Sequence, residues 1–96
     1  MDKSEIVNQL NKQLAEVSEL RKLSYSTNEF PRWKNSVQQI LTQAYGLDSA
    51  QYKRFENAPG KFFKVDTELG RQQSYHYQLE AFESALKTLI QRAEMG

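Results

Sequence analysis

The chain has 96 residues, 39% of them hydrophobic and 26% charged, which suits one small folded domain with a single modest core. Thirteen basic residues against twelve acidic ones leave a formal charge of +1, so no global field holds a polyanion or an anionic membrane. The absence of cysteine removes disulfides, thiolate metal sites and cysteine nucleophiles, and it fits a cytoplasmic protein.

The first residues, Met1-Asp2-Lys3-Ser4-Glu5, lack the apolar core of a signal peptide, and no run approaches the roughly 20 apolar residues that span a bilayer. No membrane association is expected. Ile6, Val7, Leu10, Leu14, Val17, Leu20 and Leu23 recur at steps of three and four, or nearly so, which predicts a first helix over 3–23. Its other face carries Lys3, Asn8, Lys12, Glu16, Glu19 and Lys22, a mixed-sign set that reads as solvated. Ser24 to Asn28 is a connection, since these side chains compete for backbone hydrogen bonds.

Pro31 fits the first turn of a second helix, predicted over 31–45, with Trp33, Val37, Ile40 and Ala44 on one face and Trp33 as a core anchor. Gly46 is placed to adopt a left-handed cap. Asp48 or Ser49 can cap a short third helix over 49–56 that carries Ala50, Tyr52 and Phe55. Asn57-Ala58-Pro59-Gly60 signals a turn, and Lys61 to Val65 reads as an ordered loop pinned by Phe62 or Phe63. A last helix over 68–94 places Tyr75, Leu79, Phe82, Leu86, Leu89 and Ala93 at alternating steps of four and three. The first and last helices, each of about 20 residues or more, span roughly 30 Å and cannot bury their stripes alone. The expected fold is therefore all-α, a single domain of two long helices packed together and closed by two shorter ones.

Little in the chain points to chemistry. His76 is the only histidine, too few for a usual zinc site, and it lies off the apolar stripe. Glu80 and Glu83 flank the last stripe at helical spacing, as charged residues beside a core commonly do. The four glycines occur singly, so no phosphate-cradling loop is present. No catalytic residue, cofactor or metal is expected. The best local basic patch combines Lys53, Arg54, Lys61, Lys64 and Arg71 with Tyr52, Phe55, Phe62 and Phe63, a mixture able to stack on bases and pair with phosphates. The same residues also read as core-anchoring aromatics with solvated cations beside them.

Phe30-Pro31-Arg32-Trp33, Ile40-Leu41, Tyr45-Gly46-Leu47-Asp48-Ser49 and Tyr52-Lys53-Arg54-Phe55, with the closing stretch Tyr77 to Ile90, resemble the N-terminal helical region of many uncharacterised prokaryotic proteins. The resemblance spans nearly the whole chain. Such regions often precede a separate effector, for instance a nucleotide-binding module similar to Toll/interleukin-1 receptor domains. The resemblance therefore implies an adaptor or assembly role at the head of a longer protein, and it carries over no catalytic residue.

The sequence thus leads to a non-catalytic helical protein-interaction domain that associates with itself. The stripe of the first helix is wider than one neighbour needs, so Ile6, Leu10, Leu14, Leu20 and Leu23 form the candidate interface of a homodimer. The alternatives are a nucleic-acid-binding module using residues 52–71, with Lys53, Arg54, Lys61, Phe62 and Lys64 as its patch, or a helical domain with a small-ligand pocket. Specific nucleic-acid binding is not expected, because few phosphate contacts are on offer.

Overall fold

Four helices, with no strand among the described residues, make up the structure, a computed structural model that describes residues 2–60 and 67–95. Asp2 starts α1, Lys3–Leu20, by accepting the Glu5 N–H at 2.9 Å, which satisfies one of the unpaired donors of the first turn. The helix ends three residues before its stripe does. Lys22 and Leu23 donate to the carbonyls of Glu19 and Leu20, three back, in a tightened last turn. Beyond it the Ser24 and Ser26 hydroxyls lie 3.0 Å apart and Thr27 Oγ1 donates to the Ser24 carbonyl, local bonds that compete with further helix.

α2, Glu29–Tyr45, begins two residues before Pro31, so the proline is its third residue. The missing N–H costs nothing there, because none of the first four amides has an acceptor within the helix. Gly46 ends α2 with φ 95° and ψ 159°, a positive φ as expected but with an extended ψ in place of the left-handed helical one. A side chain at this φ is strained. The cap of α3, Ala50–Glu56, is Ser49, whose Oγ accepts from the Tyr52 N–H at 3.1 Å and donates to the Gly46 carbonyl at 2.7 Å.

α4, Glu68–Met95, has 28 residues, about 42 Å at 1.5 Å per residue, and so accounts for most of the molecule's 44 Å long axis. α1 packs on α4 and α2, and α3 packs on α2 and α4, so the four helices close a ring. Across that ring the backbones of α2 and α4 stay apart and aromatic rings fill the gap. Phe82 lies 4.8 Å from Phe55 and 6.4 Å from Trp33, and Phe30 meets Tyr75 edge-on at 5.3 Å. Trp33 and Phe82 are buried, at 3% and 1% exposure, as their places on the stripes require.

Two polar side chains of α4 hold the α1–α2 connection. Tyr75 donates its hydroxyl to the Leu20 carbonyl at 2.5 Å. The Gln72 amide accepts the Tyr25 N–H at 3.0 Å and donates to the Leu23 carbonyl at 3.1 Å. This clamp marks one end of the bundle, and the other end is where the helices fail to fill the space between them.

Candidate functional site

The start of α1, the end of α2, the start of α3 and the end of α4 meet at the end opposite the clamp. The packed rings of Phe30, Trp33, Phe55, Tyr75 and Phe82 cluster together elsewhere, whereas at this end Tyr45 stands with small residues such as Ala50 and Ala93. Small residues at converging helix ends leave a gap, here a cavity of about 370 Å³. That volume lies in the range of ligand pockets. Its floor is apolar, formed by Ile6, Leu89, Tyr45 and the two alanines.

The polar part of the lining is one-sided in charge. Lys3 from α1, Arg54 from α3 and Arg92 from α4 line the cavity, joined by Gln51, and among the described residues no carboxylate does. None of the three cations forms an ion pair among the described residues, where Arg21, Lys22 and Lys87 pair with Glu83 or Glu19 instead. Glu94 borders a shallower adjoining groove with Lys3 without pairing to it. Like charges around one hollow add their fields and attract an anion. Two of the exposed large apolar side chains flank the same end: Leu47, at 62%, in the α2–α3 turn, and Met95, at 86%, two residues beyond Ala93.

The residues singled out in the sequence fall differently. Ile6, Leu10 and Leu20 are buried in the chain's own core, and Leu14 and Leu23 are partly buried against it. α4 and α2 pack on α1 and take up most of its apolar stripe. Of the basic and aromatic patch, Phe55 is fully buried and Tyr52 partly buried against the core, while Lys53 and Arg54 are exposed on α3. Lys61, Phe62, Phe63 and Lys64 lie outside the described residues. Arg54 does belong to a cationic cluster, but its companions Lys3 and Arg92 come from the two ends of the chain.

Sequence reasoning placed Lys3 on a solvated face and passed over Arg92. The one available signal was the pair Ala50 and Ala93 at the ends of their helices, and it means nothing until the register of four helices is known. Elsewhere Glu83 is held by Arg21 at 2.5 Å and Lys87 at 3.9 Å, and His76 is exposed beside Gln72 at 3.2 Å. Among the described residues no three metal-ligating side chains converge, and no helix is long and apolar enough to cross a membrane. No protein family, curated protein or solved structure matches this chain, so the reading of the site rests on its own geometry.

Proposed function

We propose that this is a non-catalytic protein-interaction domain of the adaptor kind, and that it docks its partner on the end of the bundle that holds the cation-lined cavity. The observation that carries the reading is the coincidence of an apolar hollow, three cations without ion pairs among the described residues, and exposed Leu47 and Met95 at one end. Exposed apolar groups next to unpaired charge of one sign mark a surface that a complementary partner covers.

A second copy of this chain is the simplest partner. At this face, however, a two-fold pairing would set the Lys3, Arg54 and Arg92 of each copy against their own kind. A different protein presenting acidic and apolar groups fits better. A cytoplasmic setting belongs to the same reading, because nothing in it calls for a disulfide.

The test is photo-cross-linking in cells of the native host. A benzophenone side chain placed at Leu47 or Met95 should trap one and the same partner protein, and one placed at Lys12 on the far face of α1 should not. Adducts only to the chain itself, or equal trapping from Lys12, would count against the reading.

A further inference from the structure

We infer that the cavity is a socket for the C-terminus of the partner chain, taking an apolar last side chain on its floor and the terminal carboxylate between Arg54, Arg92 and Lys3. The inference rests on the docking reading above and specifies what enters the site. The shape of the hollow comes first. The start of α1, the end of α2, α3 and the end of α4 all contribute to the lining, and the hollow opens to solvent at that end of the bundle.

The lining gives the chemistry. Ile6, Leu89 and Ala93 offer an apolar floor, and the cations stand at the same cavity, so one ligand unit must present an apolar group and a negative charge close together. A C-terminal residue with an apolar side chain does this on a single carbon. Arginine suits the carboxylate because its planar fork donates to both oxygens at once. Gln51 and Tyr45 also line the cavity, and among the described residues their side chains make no hydrogen bond. They suit the peptide group behind the carboxylate, for which a simple alkyl anion has no counterpart. Capture of a chain terminus by convergent donors is an established mode of peptide recognition.

The experiment is a titration of the isotope-labelled chain followed by its amide and methyl NMR signals, with N-acetyl-leucine, N-acetyl-leucinamide and octanoate as probes. N-acetyl-leucine should shift the signals of Ile6, Ala50, Leu89 and Ala93. The amide should bind roughly tenfold more weakly or not at all, the expected loss when a charge-assisted hydrogen bond is removed. In Arg54→Gln/Arg92→Gln, whose altered side chains are exposed, acid and amide should become equivalent while signal dispersion stays that of the folded protein. Equal shifts from acid and amide in the unaltered protein would overturn the socket, and so would silence toward both. Octanoate binding more tightly than N-acetyl-leucine would overturn it in favour of a small amphipathic anion. None of these outcomes touches the cross-linking result, so the socket can fail while the docking face stands.

Discussion

Trp33 donates its indole N–H to the carbonyl of Gln13 at 2.8 Å, joining α2 to the middle of α1, while its ring packs 6.0 Å from Phe55 of α3. One side chain therefore ties three helices together. Trp33→Phe keeps most of the packing and loses the hydrogen bond, and it should cost about 1 kcal/mol. Trp33→Ala should cost roughly 3–5 kcal/mol, a large part of the 5–15 kcal/mol typical of whole domains. Urea denaturation reads both. Equal losses from the two variants would show that packing contributes little at this position.

Tyr75 carries a prediction about pH. Burial pushes its phenol above the ordinary value of 10.0, because the charged form is poorly solvated in the core. The folded state thus favours the neutral phenol. Its contribution is complete below the ordinary phenol value of about 10 and is lost as pH rises through the raised one. Tyr75→Phe should cost about 1 kcal/mol at neutral pH through the lost bond to the Leu20 carbonyl, which keeps the Leu23 N–H as a partner. Above about pH 10 the variant should lose stability less steeply than the unaltered protein. Identical alkaline slopes in the two proteins would contradict the assignment.

Gln72 commits both of its amide groups to the α1–α2 connection, and its nitrogen also lies 3.2 Å from His76 Nε2. With the amide nitrogen donating, His76 Nε2 must accept, so the ring proton sits on Nδ1. Two-dimensional NMR of the imidazole nitrogens should find the Nδ1–H form in excess. In Gln72→Ala the Tyr25 amide should exchange with solvent faster and the tautomer preference should relax. A Tyr25 amide equally protected in the variant would remove the clamp.

Ile6 distinguishes core from edge. It is 8% exposed and belongs to the core cluster, so Ile6→Asp should unfold much of the population, as expected for a charge placed among apolar side chains. Helical circular dichroism at neutral pH reads this. Unchanged helicity together with a halved mass would return Ile6 to a dimer interface. Ala93→Leu, by contrast, grows into the cavity and should leave stability within about 1 kcal/mol. It should abolish the N-acetyl-leucine shifts.

The sequence carried the helices better than the places where they end. The four-and-three steps from Tyr75 to Leu89 recur as the buried face of α4, with Ala93 partly buried beyond them, because a 3.6-residue period is written in residues close together in the chain. α1 stops at Leu20 although Leu23 continues the stripe, since Ser24, Ser26 and Thr27 offer local hydrogen bonds that a hydrophobic pattern does not register. The breadth of that stripe was also legible: α2 and α4 pack on it from two sides, burying Ile6, Leu10, Val17 and Leu20 and leaving Leu14 and Leu23 partly exposed. The cavity was not legible. It depends on Lys3, Arg54 and Arg92 being brought to one end, and that follows from four helix lengths and their register, which no short stretch of sequence encodes.

The central claim is that the cation-lined end of the bundle is the working face, and charge reversal tests it most directly. Met95 carries the benzophenone in two proteins, one otherwise unaltered and one with Arg54→Glu and Arg92→Glu, and the cross-linked partner is quantified from the native host's cells. A Lys12→Glu/Lys22→Glu protein, altered on the exposed side of α1 and in its last turn, controls for net charge. The account predicts that the partner adduct disappears in the Arg54/Arg92 variant and persists in the Lys12/Lys22 variant, with helical circular dichroism the same in all three. An adduct equally strong in all three proteins would contradict it.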